Sequence, residues 1–555
     1  MSEEILKLKK EIERLKRAIK KQRYGLVWMD VPEAFEDEVE NKLPILKEIP
    51  RLAIKNNDGK PTHILIEGDN YHALTCLNYT HKGKVDIIYI DPPYNTGSDG
   101  FRYKDKRILD KYPDGTEVPK DSPFRHSYWL SFMQKRLVLI RDLLSKNGVV
   151  FISIDDNEMV QLKLLCDSIF GENNVEVMIW HKVADDSGRL KITYRFRREH
   201  EYIIVCYKQK DKTFFKKYLS DRNYKNEYTN PDNDPRGAYK QGIISTTEAK
   251  SKSTGKNFYS ITTPSGKVIT RQWRFQEEEF KRLDKDNRIY YGKNGSSIPS
   301  EKVFINEQKE TTPTSILYDL GTAKSAGIEL EELMGSKIFS YPKPVTLIKH
   351  LIKISSEINS VILDFFAGSG TTGQAVIELN KDDEGSRQFI LVTNNDEVVN
   401  GKKHKIMSDI CYPRVKKVLK LYKNGAKYYK TAFIGKNNIL NATDQDKIEL
   451  AHNAGELLAI TENTLELIKK NKFYQLFEDG NKEKYIAVYF REELDRFDEF
   501  TKMVKKLKKQ VTIYVFSWGD EEFSDDFINI DNVKVKTIPL PILEIYKQIY
   551  NLNTE

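Results

Sequence analysis

Cysteine is scarce in this 555-residue chain: Cys76, Cys166, Cys206 and Cys411 are the only four, and they stand far apart. Their spacing excludes a disulfide framework, a redox pair and a clustered-thiol zinc site. It leads us to expect a reducing, cytoplasmic compartment and no bound metal. Long apolar runs are missing too. No stretch approaches the roughly 18 residues that cross a bilayer. The opening segment MSEEILKLKKEIERLKR is charged throughout and has no apolar stretch of the signal-peptide kind. There is no GxxxxGK(S/T) loop and no nuclease motif, so cleavage or nucleotide-driven motion is not expected of this chain. Excess charge of one sign is small. A net charge of +8 is compatible with a polyanionic partner and decides nothing alone.

What is there is enough for more than one domain. Apolar side chains at Ile5, Leu8, Ile12, Leu15 and Ile19 form an a/d seam, which predicts a helix over residues 1–22. Two heptads are too short for a stable free coiled coil, so the seam needs a partner surface, on this chain or on a second copy. An α/β pattern follows. Residues 63–69, 85–91, 149–155 and 201–208 read as strands, and the run VDIIYID is continuous enough for the centre of a parallel sheet. Residues 132–148 read as an amphipathic helix closed by Gly148. From 209 to 318 the periodicity fades and Lys, Arg, Asn and Tyr dominate. The α/β pattern then resumes, with a helix over 343–356, a strand running into a glycine turn over 360–370, a helix over 371–380 and a strand over 387–396. The predicted architecture is one doubly wound α/β sheet in two parts, 24–208 and 319–434. It is interrupted by an insert at 209–318, preceded by a helix at 1–23 and followed by a small α/β module at 435–555.

Two motifs carry chemistry. DFFAGSGTT, from Asp364 to Thr372, ends a buried strand and opens a helix. Gly368 and Gly370 let the backbone approach a ligand with no Cβ in the way. With Asp364 at its head, the loop suits a nucleotide-like cofactor bearing a cationic centre and an amine. DPPYNTG, from Asp91 to Gly97, also ends a buried strand. Pro92 and Pro93 fix φ and surrender two N–H groups, which holds their carbonyls rigidly. Asp91 adds a carboxylate and Tyr94 a flat face. Two acceptors beside an aromatic face suit an exocyclic amine on an aromatic ring.

In combination these motifs resemble the amino-methyltransferases of DNA, and their order, DPPY first, resembles the β class. IEGDNYHALTCL (66–77), SYWLSFMQKRL (127–137), GVVFISIDDNE (148–158), FRREHEYIIVCYK (196–208), RQWRF (271–275) and FSYPKPVTLIKHLI (339–352) look more narrowly like the modification subunits of type III restriction-modification systems. The resemblance covers about residues 24–425. It implies a Rossmann-like fold, S-adenosylmethionine as cofactor and adenine N6 in duplex DNA as the methylated atom, since SPPY is usual for cytosine N4. The implied catalytic set is Asp91, Pro92, Pro93 and Tyr94. The implied cofactor set is Asp364, Phe365, Phe366, Ala367, Gly368, Gly370 and Thr371, with Thr371 capping its helix, together with Asn95, Thr96, Pro342 and Lys343. The strand FILVTNND departs from the usual pattern. It carries Thr393 and asparagines where an acidic ribose ligand is common, which leaves Asp396 or Glu397 as substitutes.

The insert is the expected DNA reader. Arg195, Arg197 and Arg198 just upstream, and Lys256, Arg271, Trp273 and Arg274 within it, interleave cations with aromatics. The resemblance further implies a homodimer and a restriction helicase-nuclease partner. A methyltransferase without that partner, a DNA-specificity subunit without turnover, and a methyltransferase acting on RNA or cytosine are the competing readings.

Overall fold

The structure is a computed structural model. It describes residues 26–552 apart from 30–41, 56–59, 97–106, 113, 114, 121, 184–195, 197, 219–227, 308, 309, 396, 400, 401, 436–441, 492–495, 520 and 522. The helix expected over 1–22 lies outside the described residues, as do Gly97, Arg195, Arg197, Asp396 and the side chain of Glu397. The chain divides into two compact units, residues 1–215 with 314–555, and residues 216–313.

The larger unit is built on a ten-stranded sheet. In chain order its strands are β1 (Leu43–Glu48), β2 (Thr62–Glu67), β3 (Val85–Ile90), β4 (Leu144–Ile154), β5 (Val175–His181), β6 (His200–Tyr207), β7 (Ile316–Leu317), β8 (Val361–Asp364), β9 (Gln388–Thr393) and β10 (Gly425–Ile434). Across the sheet they lie in the order β1-β10-β2-β9-β8-β3-β4-β6-β5-β7. The six from β10 to β4 are parallel, while β6 is antiparallel to both β4 and β5. Side chains alternate between two cores, as period two requires. Ile88 and Ile90 face one core with Leu74, Leu77, Leu137 and Ile140. Ile87 and Tyr89 face the other with Ile348, Leu351, Val376 and Val415. Central strands buried on both faces need apolar residues at every position, which is why VDIIYID reads as an unbroken run.

Gly148 does not close a helix. The helix Ser127–Leu143 passes directly into β4, with Leu144 already extended at its C-cap. Gly148 lies inside β4, where a Cβ would come within 3.0 Å of the Val85 and Ser145 carbonyl oxygens. It permits a close strand approach rather than a left-handed cap. The sequence patterns also overlooked β1, β5 and β10, and the helices Asn70–Thr80 and Met159–Phe170.

Residues 435–555 carry a second sheet of five consecutive strands: β11 (Glu466–Lys470), β12 (Tyr474–Glu478), β13 (Lys484–Tyr489), β14 (Gln510–Phe516) and β15 (Val533–Ile538). Position 435 separates two sheets but not two compact units. Ile486, Val488, Tyr514, Ile542 and Tyr546 share one buried cluster with Leu74 and Leu77 of the main fold. The Tyr546 hydroxyl donates to the Pro44 carbonyl at 3.0 Å, which ties the last helix, Leu540–Leu552, to β1.

The insert has its own small core despite its loop-like texture. A hairpin of Phe258–Thr262 and Val268–Gln272, a three-stranded sheet and the helix Glu277–Lys285 enclose Ile244, Ile261, Ile269, Trp273, Phe280 and Leu283. Trp273, expected at the DNA surface, is only 3% exposed. Its indole N–H donates to the Tyr259 carbonyl at 2.8 Å, and its ring lies 5.6 Å from Phe280. A tryptophan that has spent its donor inside a core cannot stack on a base, so its part in RQWRF is structural. Truncating such a residue typically costs about 3–5 kcal/mol. Trp273→Ala should therefore expose the amides of the insert to hydrogen exchange while β3 and β8 stay protected. Unchanged exchange in the insert would contradict its role as the core residue.

Candidate functional site

Neighbouring parallel strands place the two motifs together. Ile362 of β8 pairs with Ile87 of β3, and Leu363 with Ile88. Asp364 and Asp91 therefore leave adjacent strands at the carboxyl edge, Asp91 two residues further along, where open α/β sheets bind ligands. A pocket opens above them. Asp69 and Asn70 line it after β2, Asp91 and Pro93 after β3, the loop from Asp364 to Ser369 after β8, and Thr393 and Asn394 after β9. Phe339, Tyr341, Pro342 and Lys343 form another wall ahead of the helix Val345–Ser355.

The glycine loop is built around Asp364. One carboxylate oxygen accepts from the Phe366 N–H at 3.0 Å and the other from the Thr372 hydroxyl at 2.6 Å. Both donors are neutral, and burial pushes the Asp364 carboxyl up to about 7. Gly368 has φ +48° and lines the pocket, with Phe339 in ordinary contact range. Gly370 has φ +80° and is outside the lining. A Cβ there would meet Val415 at 3.0 Å and Cys411 at 3.3 Å, so this glycine serves packing of the next helices. Thr371 is not the helix cap. Gly370 occupies that position with no side-chain hydrogen bond, and the Thr371 hydroxyl accepts from Arg414 at 2.8 Å. Arg414 also donates to the Ser369 hydroxyl at 3.0 Å and to the Gln374 side-chain oxygen at 3.0 Å, and is 1% exposed. Burial lowers its pKa to about 10, and it still carries a full charge at neutral pH.

A second buried arginine braces the loop from the other side. Arg136 donates from Nε to the Asn70 side-chain oxygen at 2.6 Å, and Asn70 donates onward to the Phe365 carbonyl at 3.0 Å. The guanidinium carbons of Arg136 and Arg107 each lie 3.7 Å from the centre of the Phe132 ring, which contacts Phe366. Arg107, Phe132, Asp69 and Asn70 were not singled out from the sequence. Asp69 and Asn70 follow a buried strand, as the two motifs do, and could have been found by that rule.

In the DPPY loop, the Pro93 carbonyl accepts from the Trp129 indole at 2.7 Å. That carbonyl is thus engaged within the protein, and Asp91 supplies the carboxylate on this wall of the pocket, while Pro92 and Tyr94 are outside the lining. Asn95, at φ +58°, turns away from the pocket. Its amide donates to Glu158 at 2.5 Å and its oxygen accepts from the Arg107 N–H at 2.8 Å. It tethers the loop and is not part of the pocket wall. Thr96 is exposed and lies outside the pocket wall.

Lys343 joins the halves of the site. Its ammonium donates to Asp91 at 2.7 Å and to the Tyr94 hydroxyl at 2.8 Å, and lies 3.6 Å from Glu201. Tyr94 donates to Glu201 at 3.1 Å, and Lys182 donates to Glu201 at 2.9 Å. Burial pushes the Asp91 carboxyl up, and Lys343 offsets only part of that. Burial also opposes the charges of Glu201 and Lys343, but their opposite-charge neighbours outweigh it. Glu201 is held below the ordinary carboxylate range and Lys343 above the ordinary ammonium range.

The expected DNA-contacting cations differ among themselves. Lys256 and Arg274 are exposed in the insert. Arg198 is exposed and lies 3.4 Å from Asp156. Arg271 is mostly covered, with Thr246 and Glu248 as partners.

Comparison with known proteins adds relatives to this geometry. The chain is 34% identical over 442 residues to the type III restriction-modification enzyme StyLTI Mod subunit of Salmonella typhimurium, covering 73% of this chain and 66% of that one. It is 32% identical over 438 residues to the EcoPI Mod subunit of Escherichia phage P1, covering 70% and 66%. It thus spans just under two thirds of the length of these type III relatives. It is also 30% identical over 353 residues to the type II methyltransferase M.KpnI of Klebsiella pneumoniae, covering 60% and 80%. The model of the DNA methylase family N6_N4_Mtase matches residues 85–435, a span that holds both motifs and the whole of β3 to β10, and the chain belongs to that family.

Proposed function

We propose that this chain transfers a methyl group from S-adenosylmethionine to adenine N6 in duplex DNA, as the modification and specificity subunit of a type III restriction-modification system. The observation that carries the reading is the emergence of Asp91 and Asp364 from adjacent parallel strands into one pocket. The pocket fits the cofactor's chemistry. Asp364, held only by neutral donors, suits a cationic centre, and the loop to Ser369 with Pro342 lies around it. Asp69, Thr393 and Asn394 offer polar groups for ribose hydroxyls. When bound, S-adenosylmethionine supplies an activated methyl group on a sulfonium.

Adenine N6 is a weak nucleophile because its lone pair is delocalised into the ring. Asp91 and the Pro92 carbonyl accept its two hydrogens, which favours a tetrahedral nitrogen with its lone pair directed at the methyl carbon. Holding reactants in line can supply roughly 7–11 kcal/mol. The base must leave the duplex, at a cost of a few kcal/mol, and stacking on Tyr94 returns about 1–3 kcal/mol. Aspartate at the head of the motif, where serine is usual for cytosine, supports adenine as the target.

Partners follow from the same reading. Exposed Arg198, Lys256 and Arg274 contribute phosphate contacts. The names of two relatives, each the Mod subunit of a type III restriction-modification enzyme, support a further subunit as partner; the helicase-nuclease nature of that partner and a second copy of this chain rest on the family resemblance alone. Among the described residues no helix is long and apolar enough to cross a membrane. We assign the chain to the cytoplasm on its four scattered cysteines, all free and buried.

Asp91→Ala should reduce tritium transfer from labelled S-adenosylmethionine to duplex DNA by at least a hundredfold, with cofactor affinity within threefold of wild type. Nucleoside analysis of the wild-type product should give N6-methyladenine. Turnover of the variant within tenfold of wild type would remove Asp91 from the chemistry.

Asp364 generates a pH prediction. Its carboxyl titrates near 7 in the fold against 3.8 ordinarily, so ionising it there costs stability that accrues as pH rises from about 4 to 7. Asp364→Asn should match wild type in Tm near pH 4 and exceed it at pH 8. A cationic sulfonium prefers the ionised carboxyl, so wild-type affinity should rise roughly tenfold between pH 6 and pH 8. S-adenosylhomocysteine, whose sulfur is neutral, should lack that rise. Equal pH slopes for the two ligands in calorimetry would place the sulfonium elsewhere.

A further inference from the structure

Glu201 belongs to neither motif, yet it stands behind the DPPY loop with a buried carboxylate. It lies near the start of β6, and because β6 runs antiparallel to β4 that start sits at the carboxyl edge beside β3 and β4. Its side chain is 13% exposed, against 29% for Asp91 and 11% for Lys343. One of its oxygens accepts from the Tyr94 hydroxyl and the other from Lys182. Lys343 has one carboxylate on each side, Asp91 at 2.7 Å and Glu201 at 3.6 Å. The groups form a chain of alternating charge, Lys182–Glu201–Lys343–Asp91, with Tyr94 bridging its middle.

The arrangement poses a problem for the site. An ammonium held by Asp91 alone would tighten on the carboxylate that must receive an amine. With a second anion behind it, the ammonium is shared. One oxygen of Asp91 is held by Lys343, the Tyr94 hydroxyl also reaches its carboxylate, and Asp91 lines the pocket. Tyr94 is fixed in the same stroke, since its hydroxyl accepts from Lys343 and donates to Glu201. We infer that Glu201 is a positioning residue for methyl transfer, holding Lys343 and Tyr94 so that Asp91 presents a correctly oriented, available acceptor to the target amine. The inference rests on the proposed role of Asp91.

A role through charge leaves a signature that a purely structural role does not. The groups facing Glu201 and Lys343 are Asp91 and Tyr94 of the DPPY loop, Tyr89 of β3, Asp155 after β4, Lys182 after β5 and, farther off, Asp364 of β8. Glu201 raises the pKa of both Asp91 and Lys343. Neutralising it should lower both. The acid limb of kcat, where Asp91 gains its proton, and the alkaline limb, where Lys343 loses its own, should both move to lower pH.

The test is a methylation pH profile of the full chain on duplex DNA. Four single variants, E201Q, E201D, K343M and D91N, are compared with the double variant E201Q/K343M. Calorimetry with S-adenosylmethionine serves as a check on folding. We expect E201Q to lose at least tenfold in kcat and to shift both limbs downward by about half a pH unit or more. E201D, which keeps the charge on a shorter arm, should recover part of kcat with limbs near those of wild type. In the K343M background, E201Q should cost less than twofold, because its effect runs through Lys343. Wild-type kcat with unmoved limbs in E201Q overturns the inference. So does an equal loss from E201Q with and without Lys343. If E201Q fails to bind cofactor, the E201D profile decides: limbs displaced from wild type by an arm that keeps its charge would also overturn it. An active D91N removes the underlying reading of the site. An inactive D91N with an unmoved E201Q profile removes only the role of Glu201.

Discussion

The site depends on the parallel pairing of β8 with β3. The two strands are remote in sequence, separated by β4, β5, β6 and the whole insert, yet they are neighbours in the sheet. Parallel pairing sends both carboxyl ends the same way, and the register that sets Leu363 opposite Ile88 leaves Asp91 two residues beyond the level of Asp364, both at the carboxyl edge. Each strand is locked by apolar side chains on both faces. A one-residue slip would turn those side chains to the wrong core and move an aspartate out of the pocket. Two pocket-forming loops, the proposed cofactor loop and the proposed target-base loop, can therefore lie far apart in the chain without loss of geometry.

Much of this was legible in the sequence, for a physical reason. Central strands covered on both faces are continuously apolar, and the loops that follow them carry glycine or proline because the backbone must turn sharply. VDIIYIDPPY and SVILDFFAGSG display both features. The edge strand β1 and its neighbour β10 escape notice, because β1 holds Pro44 and β10 mixes lysines and tyrosines with small residues. Trp273 misled for another reason. Its neighbours Arg271 and Arg274 are cationic, but Ile269, Arg271 and Trp273 follow one another on the covered face of the hairpin strand and its continuation, and only Arg274 is exposed. Glu201 and Lys343 come from elements separated by the whole insert, and no local pattern announces that they meet.

Buried arginines recur as the braces of the site. Arg136 and Arg414 are essentially without exposure, and each ends on a polar group of a ligand-lining loop. A guanidinium is expensive to bury unless its donors are met. Here they are met by the side chains of Asn70, Ser369, Thr371 and Gln374 and by the Phe132 carbonyl. The fixed fork of donors resists rotation, which a lysine would not do. The glycine loop gains conformational freedom from Gly368 and loses it again to two arginines. It is thereby held in a shape that an L-residue at position 368 would strain.

The DPPY loop solves a related problem with charge. A target pocket must stay receptive while empty, and it contains two carboxylates, at Asp91 and Glu201, close to an apolar sheet. Left unpaired, at least one would take up a proton, and a protonated Asp91 would meet the incoming amine with a donor instead of an acceptor. Lys343 works against this as a cation already in place, its ammonium over the Tyr94 ring at 4.8 Å and in contact with Asp91. An ammonium and an exocyclic amine are both nitrogen donors, so the lysine satisfies in the empty site the kind of demand the base satisfies in the filled one. A hydrophobic residue at 343 would leave Asp91 to burial alone. Without a second anion behind it, the lysine would compete with the amine more strongly. The arrangement that favours an ionised Asp91 thus also sets, on the proposed role of Asp91, how readily it would accept the base, and both properties turn on one ammonium shared between two carboxylates.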